Sequence, residues 1–301
     1  MQFKRIKKNV NGVLLLDKPL GFSSNQALQK VKWLYQAAKA GHTGTLDPLA
    51  TGLLPICLGE ATKFAQYVTD ADKTYFATIK LGVTTTTGDA EGEVITTALV
   101  NVSSTQFAAA CQQFIGEISQ MPPMYSALKF EGRALYEYAR QGVDIARQSR
   151  LIHITNITIE NFEADIAQIT VVCSKGTYIR TLAEDIGAVL SCGAHLIGLR
   201  RTETAGYLLA QAVTIEQLEA MSNEMRMSLL LPVDSAIESL PKVILGKDAA
   251  FYMMQGQAVW QAGKIPDGDL RLYDEANHFL GLGFLQADGK IAAKRLVQKI
   301  T

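Results

Sequence analysis

One carboxylate stands in the middle of the loop Gly41-His42-Thr43-Gly44-Thr45-Leu46-Asp47-Pro48-Leu49-Ala50-Thr51-Gly52, among three glycines and directly before a proline. Pro48 biases Asp47 toward an extended backbone, and the glycines permit unusual dihedrals and close approach of a ligand to the main chain. A reactive side chain is presented in this way, although an aspartate that only caps a turn would also fit. A second stretch, Ser174-Lys175-Gly176-Thr177-Tyr178-Ile179-Arg180-Thr181, runs from a strand end through a glycine turn into a helix. Tyr178 and Arg180 should therefore sit near a helix start, a junction that commonly carries ligand sites. A guanidinium facing a lone carboxylate would keep it ionised and fix its orientation, as a nucleophile needs.

Other chemistries lose ground on the same reading. The three Gly-Lys pairs, at Gly246, Gly263 and Gly289, are followed by Asp, Ile and Ile, so none completes a P-loop. H-E-x-x-H, G-x-S-x-G and a helix-opening G-x-G-x-x-G are missing from the sequence. Cys57, Cys111, Cys173 and Cys192 lie far apart with no C-x-x-C pair, which suits reduced core thiols rather than a disulfide framework or a zinc site.

The elements that must position Asp47 and Arg180 follow from pattern. Gly12 to Gly21 is a short apolar run closed by Lys-Pro and Gly, as expected of a buried strand entering a turn. A helix should follow: Ser23 and Gln26 make a capping box, Ala27, Leu28, Val31, Leu34, Tyr35 and Ala38 recur at helical spacing, and Gly41 can end it in a left-handed conformation. The glycines and prolines from Gly41 to Pro55 predict a loop with no long regular element. Residues 75 to 83 alternate like a half-buried strand, and Gly88 and Gly92 mark turns. Helices are expected at Ser104 to Phe114, Arg133 to Arg140 and Tyr178 to Leu190, and strands at Leu151 to Ile159 and Ile166 to Ser174. Strands interleave with helices without a βαβ repeat, which predicts an α+β fold with a mixed, largely antiparallel sheet and flanking helices. From about Pro241 the texture changes to short strand-like pieces between Gly, Asp and Asn turns, expected to form a small β domain.

Composition sets wider bounds. A chain of 301 residues, 48% hydrophobic and 19% charged, can bury a sizeable core. No apolar run is long enough for a membrane helix, and the first residues lack the apolar stretch of a secretory signal, so a cytoplasmic location and no membrane partner are expected. Formal net charge is zero, which by itself argues against a nucleic-acid partner, because Lys and Arg drive that binding by counterion release. Lys4, Arg5, Lys7 and Lys8 form the clearest basic cluster; a solvated chain start would look the same.

Four blocks are too specific for composition to explain: GVLLLDKPLGFSSN at Gly12 to Asn25, GHTGTLDPLATGLLPICLGEATK at Gly41 to Lys63, DKTYFATIKLGVTTTTGDAEGEV at Asp72 to Val94, and SKGTYIRTLAEDIG at Ser174 to Gly187. Supporting stretches run from Gln120 to Arg140 and from His195 to Tyr207. Over nearly its whole length the chain resembles the bacterial TruB family of tRNA pseudouridine synthases. The resemblance implies a pseudouridine synthase catalytic domain over residues 1–240 and a small PUA-like RNA-binding domain over residues 241–301. It further implies isomerisation of a uridine at position 55, in the T-arm loop of tRNA, without metal or cofactor.

On this resemblance Asp47 matches the catalytic aspartate, which would attack C1' or stabilise its developing positive charge as a carboxylate does in glycosidases. Attack at C6 and a glycal route stay open. Tyr75 matches the tyrosine that stacks on the uracil, and Arg180 the arginine that pairs with the aspartate. Tyr178 and Leu199 match residues lining the base pocket, and Lys18 a lysine expected to support its loop. His42 matches a histidine that binds the RNA and fills the space of the extruded base. Extrusion costs a few kcal/mol and stacking returns roughly 1 to 3 kcal/mol per base, so His42 and Tyr75 together nearly offset it. Recognition of a folded loop by shape needs no large net charge. A monomer is expected. Two other readings remain: a non-catalytic RNA-binding or tRNA-folding protein on the same scaffold, and a nucleoside hydrolase or glycosidase, which would ordinarily want a second catalytic carboxylate.

Overall fold

The computed structural model describes residues 7–298, so Lys4 and Arg5 of the basic cluster lie outside the described residues. The first apolar run becomes β1 (Gly12–Lys18), buried throughout except at Asp17. It reads as a continuous apolar run because both faces are covered, Leu14 and Leu16 by one core cluster and Val13 and Leu15 by another. The helix α1 (Ser24–Leu34) starts at the predicted capping box, with Ser23 and Gln26 bonded reciprocally, and buries Ala27, Leu28, Val31 and Leu34. It does not run to Gly41. Gln36 takes the left-handed conformation at φ +52°, and the chain closes through Gln36 N–H to Trp33 O and Ala37 N–H to Lys32 O. Those two hydrogen bonds satisfy the terminal carbonyls and hold a non-glycine residue where glycine is usual.

The stretch predicted as loop also departs from expectation. Gly41 lies within β2 (Ala40–His42), and the chain re-enters the sheet as β3 (Ala50–Leu58), nine residues long despite Gly52 and Pro55. The Pro55 carbonyl accepts from Thr43 N–H, so its nitrogen faces the same side. That side is the interval between the β3 residues paired to β2 and those paired to a later strand, where no ladder donor is required.

After α2 (Ala65–Asp70) comes β4 (Lys73–Leu81), whose odd positions from Lys73 to Leu81 are buried and whose even ones are partly exposed, the predicted alternation. A hairpin of β5 (Val83–Thr85) and β6 (Val94–Thr97) carries the Gly88 and Gly92 turns. There follow α3 (Ser104–Gln112), β7 (Gly116–Gln120), the short pair β8 (Lys129–Phe130) and β9 (Arg133–Ala134), and α4 (Leu135–Ala139). The expected helix from Arg133 to Arg140 is therefore five residues, its first turn taken by the β8–β9 pair. Next are β10 (Arg150–Glu163), β11 (Ile166–Cys173), α5 (Ile179–Val189), β12 (Ala194–Thr204), β13 (Tyr207–Leu208), α6 (Ile215–Ala220) and α7 (Asn223–Ser228).

The main sheet has the order β1-β3-β12-β4-β11-β10-β7, with β2 on β3 and β13 on β12. Every pairing is antiparallel except β3 with β12, giving the mixed, largely antiparallel sheet of an α+β fold. Beyond it lies a second sheet, β14 (Lys242–Ile244), β15 (Asp269–Tyr273), β16 (Phe279–Leu285) and β17 (Ile291–Leu296). It also holds α8 (Lys247–Met254), which the all-β expectation lacked; Ala250 and Met253 of this helix are buried against Leu270, Leu272 and Ile291. The second sheet is welded to the first. Leu282 and Val297 share a core with Leu53 and Phe64, the Phe64 and Phe279 rings meet edge-on at 5.5 Å, and Lys63 donates to the Leu296 carbonyl at 2.9 Å.

Candidate active site

Asp47 sits in the turn between β2 and β3, which is pinned from below. The Ser24 hydroxyl bonds the amide and the carbonyl of Leu46 at 2.7 and 3.0 Å, Gly21 N–H donates to the Pro48 carbonyl at 2.9 Å, and Ala50 N–H to the Asp47 carbonyl at 3.0 Å. Gly44 has φ +86° and Gly52 φ +99°, a region that L side chains rarely adopt. At Gly52 the close approach is made by the protein itself, since a Cβ there would lie 2.3 Å from the Arg201 carbonyl. That glycine permits β3 to meet β12.

Facing Asp47, Arg180 projects from the first turn of α5 and is almost fully buried, with 4% exposure. Its Nη2 lies 3.0 Å from Asp47 Oδ2 and donates to Tyr125 O at 2.6 Å; its Nη1 lies 3.5 Å from Asp89 Oδ2 and donates to Thr87 O at 3.0 Å. The guanidinium therefore serves two carboxylates rather than a lone one. Asp89 is the residue the sequence reading missed, visible there only as one acid in a Gly-marked turn. A buried guanidinium is tolerated when acceptors surround it, and here two carboxylates and two main-chain carbonyls surround Nη1 and Nη2. The Asp47 side chain remains 38% open to solvent, so it can be reached, while protein on its other sides pushes the carboxyl above the usual carboxylate range. Arg180 opposes that shift, Asp89 adds to it, and Lys18 opposes it.

Tyr75 lies in β4 with 8% exposure, paired with Val171 of β11 and Arg201 of β12. Burial pushes its phenol up, Arg201 draws it down and Asp47 pushes it further up, which places all three within electrostatic reach of one another. Lys18 at the end of β1 is fully buried and donates to the carbonyls of Pro19 and Phe22. Burial pulls its ammonium down to about 8, with Asp47 acting in the other direction. His42 ends β2 half-buried, with Nδ1 unpartnered among the described residues; burial, then Arg201, lowers its pKa and favours neutral imidazole.

Tyr178 caps α5, and its main chain is clamped by Gln120, which accepts from its N–H at 2.8 Å and donates to its carbonyl at 3.1 Å. Gln120 is buried and was also missed, because its partner lies 58 residues away. The Arg150 guanidinium stands 5.0 Å from the centre of the Tyr178 ring. Leu199 is partly buried in β12, between Ala50 of β3 and Ala77 of β4. Asp47, Arg180, Tyr75 and Lys18 thus share one neighbourhood, with Tyr178 two residues before Arg180 and Leu199 in the sheet floor.

The four cysteines are buried and free, and burial raises the Cys57 and Cys111 thiols to about 12, an inert state. Among the described residues no group of three or more His, Cys, Asp or Glu is arranged to hold a metal, and no helix is long and apolar enough to cross a membrane.

The description of the TruB family pseudouridylate synthase N-terminal domain matches residues 32–179, and two TruB C-terminal descriptions match residues 180–238 and 241–297. A curated relative from Methylobacillus flagellatus, tRNA pseudouridine synthase B, is 60% identical over 99% of both chains. The chain belongs to the TruB family of pseudouridylate synthases. The same enzyme from Pseudomonas fluorescens is 50% identical, again over 99% of both chains. Among solved structures, the TruB fold seen here superposes with a TM-score of 0.71 on a Cbf5-Nop10-Gar1 complex at 26% identity, covering 95% of this chain and 84% of that one. An H/ACA RNP bound to a substrate RNA containing 2'-deoxyuridine also gives 0.71 at 23% identity, covering 95% and 85%, a likeness of fold. TruB membership makes the chain an isomerase that converts uridine to pseudouridine in tRNA, against the alternative hydrolase and non-catalytic readings.

Proposed function

We propose that this TruB enzyme isomerises the uridine at position 55, in the T-arm loop of tRNA, with Asp47 as the catalytic carboxylate. The observation that carries the reading is the Asp47–Arg180 ion pair at 3.0 Å, in which Asp47 alone of the two is open to solvent. A carboxylate placed so can reach an extruded nucleoside, while Arg180 holds it oriented. Tyr75 stacks on the uracil from the sheet side and Leu199 lines the floor. Tyr178 lines the opposite wall, and His42, neutral and half-buried at the rim, contacts the RNA. Lys18 supports the loop from β1.

The reaction breaks the N1–C1' bond, turns the bound uracil and joins C5 to C1'; no cofactor or metal enters. Attack at C1' is the step best suited to a carboxylate beside a guanidinium. Residues 1–240 form the catalytic domain and residues 241–301 the PUA-like RNA-binding domain, supported by the change of sheet at β14. The chain acts as a monomer, in the cytoplasm, and extruding the loop base also lets it assist tRNA folding.

The test is a T-arm RNA transcript incubated with the protein and read by carbodiimide-blocked primer extension. Full conversion is expected with wild type and none with Asp47→Ala, with RNA binding retained. Conversion by Asp47→Ala would refute the role of Asp47, and released uracil would indicate hydrolysis.

A further inference from the structure

Three buried cations, Lys18, Lys73 and Arg201, gather beneath the loop that presents Asp47, and among the described residues none of them forms an ion pair. Their donors go to main-chain carbonyls instead: Lys18 to Pro19 and Phe22, Lys73 to Thr69 and Ala71, and Arg201 to Leu53 at 2.7 Å and Gly44 at 3.2 Å. Buried charges without carboxylates are costly, so their retention asks for a reason.

Arg201 is the member of the set that faces a proposed site residue. The β12–β4 register puts it directly opposite Tyr75, and directly opposed residues share a sheet face with Cβ atoms about 5 Å apart. Arg201 is 1% exposed and Tyr75 8%, so water does not compete between them. Nε is spent on Leu53 and one Nη2 hydrogen on Gly44; of the five guanidinium donors, both on Nη1 and the second on Nη2 are left. Nη1 itself would stand 3.3 Å from a Cβ at Gly44, which places it under the turn that leads to Asp47.

We propose that Arg201 is a positioning residue for pseudouridine formation, which holds the Tyr75 phenol toward the base pocket with one edge of its guanidinium while the other edges fix the Gly44 turn ahead of Asp47. It rests on the reading that Tyr75 meets the uracil. One planar group thereby sets the angle between the ring beneath the base and the carboxylate beside the sugar. Lysine, a point charge, cannot serve Leu53, Gly44 and Tyr75 together. That Arg201 is the largest influence opposing burial on the phenol agrees with this contact.

The experiment compares Arg201→Gln, Arg201→Lys, Tyr75→Phe and the Arg201→Gln/Tyr75→Phe double variant. It uses single-turnover conversion of a tRNA transcript, with RNA affinity and melting temperature measured alongside. Arg201→Gln should slow conversion about 100-fold, as misplacement of a positioned group does, and Arg201→Lys should recover about tenfold of that. RNA affinity should stay within about threefold, and the double variant should be no more than about threefold slower than Tyr75→Phe, the mark of coupled residues. A wild-type rate in Arg201→Gln with a slow Tyr75→Phe would overturn the inference while leaving the role of Tyr75 intact. So would a double variant whose loss is the product of the two single losses, or melting temperatures that fall in step with activity in both arginine variants. A wild-type rate in Tyr75→Phe would show that the hydroxyl needs no hold and would overturn the inference, while leaving intact the stacking of the ring on the base.

Discussion

Two buried arginines flank the Asp47 turn, and they are held in opposite ways. Arg180 stands at a helix start and is held by groups from loops: two carboxylates, Asp47 and Asp89, and the carbonyls of Thr87 and Tyr125. Arg201 stands inside the sheet, pairs with no carboxylate among the described residues, and gives its Nε and Nη2 to main-chain carbonyls, Leu53 of β3 and Gly44 of the turn. The difference separates charge that orients a solvent-open carboxylate from charge that braces the sheet floor. At Arg180 electrostatics would decide what a substitution does; at Arg201 main-chain geometry would.

Arg180→Met should give the largest effect, because it strands the buried Asp89 beside Asp47. Loss of one partner of a buried pair costs about 3 to 5 kcal/mol, and the lower end applies since Asp47 is partly solvated. Urea denaturation should show that loss together with abolished conversion; an unchanged midpoint would mean Arg180 holds no buried charge. Gly52→Ala strikes the other arm, since its Cβ would meet the Arg201 carbonyl at 2.3 Å. About 2 to 3 kcal/mol should be lost there, whereas Gly41→Ala, with nothing within 4 Å, should stay within about 0.5 kcal/mol. Equal midpoints for the two variants would remove the case that β3 and β12 need a glycine between them.

Smaller effects test how α5 aims Arg180. Gln120→Leu leaves the Tyr178 amide unpaired and its carbonyl with the Leu182 N–H alone, an expected loss of about 1 to 3 kcal/mol in thermal or urea unfolding. Glu184, one turn beyond Arg180, has its carboxyl raised to about 7 by burial first and Asp185 second. The folded state then keeps a proton that the unfolded state has lost, so the stability it contributes is full below about pH 4.5 and drains away as pH rises to about 7. Glu184→Gln should flatten that part of the stability profile; a wild-type slope in the variant would assign it to another group.

Local features of this arrangement were legible in the sequence. The Ser23–Gln26 capping box and the alternation of β4 depend on neighbours a few residues apart, and both stand as read. Tertiary features were not. Pro55 and Gly52 read as loop because the strand that tolerates them does so through a gap in pairing and a close crossing with β12. The stop of α1 at Gln36 rather than Gly41 depends on two end-closing bonds that override the glycine preference. In the site, Asp47 and Arg180 were conspicuous by motif. Asp89, Gln120 and Arg201 were not, because each acts on a partner dozens of residues away and carries no local signature.

The weld between the two sheets has a consequence for how the molecule comes apart. Leu53 of β3, the strand that carries the Asp47 turn, shares its outer layer with Leu282 and Val297, and Lys63 and Glu60 tie the last strand down through Leu296 and Gln298. A chain cut short before β14 would leave the back of the catalytic strand unroofed, so unfolding of the tail and slackening of the reactive turn are one cooperative event.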